Sequence, residues 1–102
     1  MKKIRIGDVD FQVIEEPNLF VERTDIVDGS INYTQGIIRV VDNVSLDYKN
    51  QVLCHEIIHG IIEAYNVPIN KEDNEKITEA MCKGLHQVLK DNPDLLFKRS
   101  NK

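Results

Sequence analysis

One segment constrains the fold of this chain more than any other: the string His55-Glu56-Ile57-Ile58-His59, set inside an otherwise apolar run. Four residues span just over one helical turn, so on an α-helix both imidazoles point the same way with Glu56 beside them. With His55 at 0° on a wheel of about 100° per residue, Leu53, Cys54, Ile57, Ile58, Ile61, Ile62 and Tyr65 fill the arc from about 160° to about 340°. His59 falls at about 40° and Glu56 at about 100°, a polar wedge beside a broad apolar face. The segment therefore reads as a central helix, buried on its apolar side, with the wedge turned toward a pocket. A lone buried histidine that satisfies a backbone or carboxylate partner would explain one of these residues, but not three in one wedge.

The boundaries of that helix are marked. Ser45 is the expected N-cap of a helix from Leu46 to Tyr65, closed by Asn66 and Pro68. Asn70 and Asp73 resemble a capping box and open a second helix from Lys71 to Lys90, which Asn92-Pro93 stops. Its Ile77, Met81, Leu85, Val88 and Leu89 recur at helical spacing and are expected to be core against the first helix, and Tyr65 is expected to be core as well.

The first half of the chain is β-rich. Lys3–Ile6 and Val9–Ile14 alternate on either side of Gly7-Asp8 and read as a hairpin ending at Pro17. A second pair, Ile31–Thr34 and Ile37–Val41, flanks Gln35-Gly36. Residues 18–28 are ambiguous, with a short helix around Leu19-Phe20-Val21 as one reading. Leu95, Leu96 and Phe97 are expected to form a last turn over an open edge of the core. The fold class is α+β: residues 1–44 form a small N-terminal antiparallel β-sheet, packed on the two helices of residues 45–92 in a single domain spanning 1–102.

At 102 residues the chain buries a modest core, and any cleft must be shallow. Its composition, 41% hydrophobic and 29% charged, is that of a soluble globular protein, and its net charge of −4 leaves no basic face for nucleic acid. No run approaches the roughly 20 apolar residues of a membrane span, and Lys2-Lys3 is followed by alternating charges instead of a signal-peptide core. A cytoplasmic setting is expected. Cys54 and Cys82 sit among apolar neighbours within helices and are expected to be reduced and buried. Cys54 lies about 100° around the helix from His55, with its sulfur directed away from the imidazole pair, so it is not expected to ligate.

Two imidazoles one turn apart with a carboxylate between them are what a zinc site of the HExxH type requires: His55 and His59 as ligands, Glu56 as general base. A catalytic zinc takes a third protein ligand and keeps one open position. The candidates are His86 and the acids at the start of the second helix, and His86 lies about 16 Å along the axis from Glu75, too far for both to share one ion. On a wheel with Ile77 at 0°, Glu75 lies at about 160° and Glu79 at about 200°, beside an apolar arc from about 0° to about 140°. Glu75 is nearer the packed side and is the first choice as ligand. Glu79, one turn on, would accept a hydrogen bond from the outer nitrogen of a ligating imidazole.

These residues resemble a family. His55–His59 together with Asn74-Glu75-Lys76-Ile77-Thr78-Glu79 look like the gluzincin metallopeptidases, whose third ligand often sits in an N-E-x-x-S-D string; here Thr78-Glu79 stand where Ser-Asp would be. The layout from about residue 29 to residue 90 is similar to the small phage and mobile-element metallopeptidases of the ImmA/IrrE type. In that second pattern, E-A-N-x-F-A follows the motif, and only Glu79-Ala80 echoes it, which would make Glu79 the ligand instead of Glu75. The two assignments stay open at the level of sequence.

What the resemblance implies is a zinc peptidase of narrow specificity in a phage or prophage setting, acting on a protein or peptide substrate. An extended substrate would align on an exposed edge strand, expected at residues 37–41. Tyr33 and Tyr48 are the positional candidates to partner a developing oxyanion. Two other readings compete: a zinc-binding interaction module without turnover, and a metal-free structural protein. Oligomeric state is not legible in the sequence.

Overall fold

The computed structural model describes residues 2–17, 19–21 and 25–94, so the expectation for Leu95, Leu96 and Phe97 lies outside the described residues. Its architecture is α+β, with six strands followed by two helices. Strands β1 (Lys2–Ile6) and β2 (Val9–Glu16) form the expected hairpin, with Ile4 opposite Phe11 and Ile6 opposite Val9. Strands β5 (Gly29–Asn32) and β6 (Ile37–Val41) form the second, turning at Gly36 with Ile31 opposite Ile38.

The sheet is not antiparallel throughout. Its order is β1-β2-β6-β5, and β2 and β6 run parallel, with Val13 beside Ile38 and Glu15 beside Val40. Short sequence separation favours hairpins, which is why two hairpins were expected to make an antiparallel sheet. Strand β5 instead starts at the sheet end where β2 finishes and runs back along it, so that β6 enters beside β2 in the same direction. Within that stretch Leu19–Val21 is not a helix but strand β3, paired antiparallel with β4 (Asp25–Val27) in a separate two-stranded ladder. The β-branched and aromatic content of both segments favours this outcome.

Consequently β6 is a central strand, and residues 37–41 are not the edge on which a substrate was expected to align. Ile38, Val40 and Val41 are buried, and the nearly unbroken apolar run Ile37-Ile38-Arg39-Val40-Val41 is what a strand flanked on both sides requires. The edges of this sheet are β1 and β5.

Helix α1 (Leu46–Ala64) lies across the sheet against β5, β6 and β1. The Ser45 hydroxyl accepts the Tyr48 amide at 3.1 Å, and Asp47 in the first turn complements the helix dipole. At the other end Asn66 adopts φ +51°, and the Val67 amide returns to the Ile62 carbonyl at 3.1 Å, the six-to-one bond of a left-handed C-terminal cap. Ile6, Phe11, Val13, Ile38, Val40 and Val52 form the buried core, with Ile4, Ile31, Leu53 and Ile57 packed around it. At Gly60 a Cβ would stand 2.8 Å from Ile6 Cδ1, so the glycine lets α1 settle onto the sheet one residue after His59.

Helix α2 (Lys71–Asp91) packs on α1. Asn70 occupies the N-cap, but its side chain makes no cap hydrogen bond, so the capping box is not formed. The buried positions of α2 are Thr78 and Cys82, not the apolar series: Ile77, Leu85, Val88 and Leu89 are about two-fifths exposed and Met81 is 57% exposed. Tyr65 is likewise exposed, not core, because it falls at the C-cap, where α1 has left the sheet. Among the described residues no helix is long and apolar enough to cross a membrane.

Candidate metal centre

Helix α1 presents His55 and His59 toward α2, and the two rings meet edge to face with centroids 4.8 Å apart. Glu75 reaches them from the second turn of α2. Its Oε1 lies 3.0 Å from His55 Nε2 and 3.2 Å from His59 Nε2, and the two Nε2 atoms are 3.2 Å apart. Bonds of 2.0–2.2 Å at tetrahedral angles put neighbouring ligand atoms about 3.4 Å apart, so this triangle is within a few tenths of an ångström of one face of such a site. The group His55, His59 and Glu75 can hold a metal ion.

The next turn of α2 supports the first. Glu79 Oε1 lies 2.9 Å from His55 Nδ1, a contact behind the ring that leaves Nε2 facing the shared focus. Lys83 is 3.4 Å from the other oxygen of Glu79. Cys82 Sγ is 3.8 Å from the same Nδ1, and His55, Glu79 and Cys82 make a second group whose atoms converge. Burial, followed by the nearby Glu79 charge, pushes the Cys82 thiol up to about 11, which keeps it protonated behind the imidazole. Cys54 is also a free thiol, raised by burial.

Glu56 is buried, with 7% of its surface exposed, and its carboxylate takes no side-chain partner among the described residues. Burial raises its pKa to about 7; the Glu75 charge adds to that rise and His55 opposes it. Its Oε2 faces the backbone of β5, where a Cβ on Gly29 would stand 3.1 Å from that oxygen and 2.6 Å from Val52 Cγ1. Only glycine lets the edge strand approach the carboxylate so closely.

These groups open into a cavity of about 300 Å³ between β5, α1 and α2, lined by Asp28, Gly29, Tyr48 and Gln51 as well as by His55, Glu56, Glu75, Glu79 and Cys82. The two tyrosines differ. Tyr48, two turns before His55, stands in the cavity wall, and its hydroxyl donates to Asp28 Oδ2; that bond, more than burial, raises its pKa to about 12. The Tyr33 hydroxyl donates to the His59 carbonyl at 3.2 Å, outside the cavity lining, and burial followed by the charges of Glu63 and Glu56 raises its pKa. His86 stands apart from the triad, 3.7 Å from Asp47, which also pairs with Lys90 at 3.0 Å.

Sequence reasoning missed Asp28, Gly29 and Gln51. Gln51 lies one turn before His55 and is visible on the wheel; Asp28 and Gly29 fall in the stretch where no periodicity could be read. No family model matches this chain, and comparison with curated proteins and with solved structures gave no significant match.

Proposed function

We propose that this chain is a zinc-dependent peptidase that hydrolyses a peptide bond in a specific protein substrate, in a cytoplasmic, phage or prophage setting as the gluzincin and ImmA/IrrE resemblance implies. The observation that carries the reading is the single focus shared by His55 Nε2, His59 Nε2 and Glu75 Oε1, with the free carboxylate of Glu56 buried beside it. Two imidazoles and one carboxylate suit zinc, a borderline-soft dication, better than calcium or magnesium, which favour all-oxygen sites.

A dication held there supplies Lewis acidity, polarising a carbonyl and making water acidic near neutral pH. The protein side chains do the rest. Glu79 fixes the tautomer of His55. Glu56, whose carboxylate lines the same cavity, accepts the proton of the attacking water and delivers it to the leaving amine. Of the two tyrosines Tyr48 stands in the cavity wall and Tyr33 does not, and meeting a developing oxyanion would require the Tyr48 hydroxyl to turn away from Asp28. The free edge of β5 replaces residues 37–41 as the strand on which an extended peptide aligns.

Purified protein is expected to retain one zinc per chain, and Glu56→Gln to retain the same zinc while losing about 10²- to 10⁴-fold in turnover. A Glu56→Gln protein that cleaves as fast as the parent overturns the general-base role. Zinc binding without turnover on any protein or peptide substrate would instead make the chain a zinc-stabilised interaction module.

A further inference from the structure

We propose that Cys82, Glu79 and His55 Nδ1 form a second metal position, behind the triad, for a soft ion such as copper(I) or cadmium(II), which takes His55 away from the first position. The three donors converge. Glu79 Oε1 is 2.9 Å and Cys82 Sγ 3.8 Å from His55 Nδ1, and the three ligand atoms lie within 4.8 Å of one another. Bonds of about 2.0–2.3 Å at tetrahedral angles separate such nitrogen, oxygen and sulfur atoms by about 3.4–3.6 Å, so both separations from Nδ1 stand within about half an ångström of those around a bound ion. Glu79 and Cys82 are three residues apart on α2 and share a face, which meets the back of the His55 ring.

The sulfur is the donor that points to a ligand. Cys82 is 1% exposed, and among the described residues its thiol meets no polar side chain other than His55, in a contact that is long and weak for a thiol. It nonetheless borders the cavity, with the half-exposed Glu79 beside it, so an ion reaches the group from solvent. Lys83 pairs with the other oxygen of Glu79 and leaves Oε1 to the ring. Cys54 lies outside the group. A thiolate favours soft ions, whereas two imidazoles and a carboxylate suit a borderline one. The two positions exclude each other, because a neutral imidazole has one lone pair to give. With zinc at the triad, Nε2 gives that pair and Nδ1 carries the ring proton. An ion bonded to Nδ1 leaves the ring proton on Nε2, which removes one of the three triad ligands. The Cys82 thiol releases its proton to solvent as the sulfur–metal bond forms, and His59 and Glu75 alone hold zinc weakly. The position shares His55 with the triad but does not depend on peptidase turnover.

Cadmium(II) titrated into the full zinc-loaded chain tests this, read by the ultraviolet sulfur-to-cadmium charge-transfer band and by a zinc indicator. One equivalent is expected to raise the band and to release one zinc per chain. Cys82→Ser, with Cys82→Ala as a second variant at this buried site, is expected to lose the band and keep its zinc, while Cys54→Ser behaves as the parent. Bound zinc and thermal stability of each variant verify folding. No band, a band that survives both Cys82 substitutions, or one that Cys54→Ser abolishes overturns the second position. Zinc released equally from Cys82→Ser, or retained by the parent while the band appears, overturns the sharing of His55. A chain that takes up no zinc yet shows the Cys82-dependent band overturns the triad and the peptidase reading, and leaves the thiolate position standing.

Discussion

Glu56 is where burial and chemistry pull hardest against each other. An unfolded glutamate has a pKa near 4.5, and burial lifts this one to about 7 in the metal-free fold. The folded chain therefore holds a proton that the unfolded chain gives up. That contribution to stability is present in full below pH 4.5 and is lost as pH rises through 7. Chelator-treated protein is expected to melt at a lower temperature at pH 8 than at pH 5.5, and Glu56→Gln to shrink the difference; an unchanged difference in the variant would assign it to other groups. At this scale much of the site was legible. Spacing alone put His55, His59 and Glu56 in one wedge, and wheel position favoured Glu75 over Glu79; the side chains bring Glu75 to both imidazoles and Glu79 to the far side of the His55 ring. Asp28 was not legible, because it enters the cavity from a strand end whose partners are set by tertiary folding and leave no periodic trace.

Among the elements, α1 and α2 show how far hydrophobic patterning can be trusted. On α1 only one flank of the apolar arc, Leu53 and Ile57, packs on the core of the sheet; Val52, Glu56 and Gly60 face the strands beside it, and Ile61 and Tyr65 are exposed. For α2 the wheel misleads: Thr78 and Cys82 are buried, while Ile77, Met81, Leu85, Val88 and Leu89 lie along a stripe that is 38–57% exposed. Turning Glu75 and Glu79 toward the imidazoles rotates the helix so that small side chains meet α1, and the bulky series moves to the flank. Met81→Lys is therefore expected to change unfolding free energy by no more than about 0.5 kcal/mol, while Ile38→Ala, at a fully buried site in β6, costs about 2–5 kcal/mol. Urea denaturation of the two variants measures the contrast, and a Met81→Lys loss as large as that of Ile38→Ala would show that the stripe is covered. The strands divide in the same way: both hairpins could be read from turn residues and alternation, whereas the parallel pairing of β2 with β6 is a long-range choice that local sequence does not encode.

For the molecule as a whole, the candidate ligand set is split between two helices. His55 and His59 belong to the helix that lies on the sheet, and Glu75 to a helix whose principal support is α1. An ion at their focus would tie the outer helix to the body of the fold, and its binding would add directly to folding stability. With zinc free at about 1,000 times its dissociation constant the gain is about 4 kcal/mol, and for a domain of this size each kcal/mol moves the melting temperature by about 4–8 °C. Chelation is expected to lower the melting temperature by more than 10 °C and to speed amide exchange in α2 before it does so in β2 or β6; no shift on chelation would remove the metal from the stability of the fold.

The parallel seam has a kinetic consequence. Joining β2 to β6 means closing a loop of some twenty residues before the hydrogen bonds of that ladder can repay the lost chain entropy, whereas the two hairpins and the helix pair close over short distances. Assembly of the sheet centre is then the slow step, and the helices gain a lasting surface to dock on only once the seam has zipped. During synthesis, β6 leaves the ribosome before either histidine, so the surface on which α1 docks is already waiting when that helix emerges.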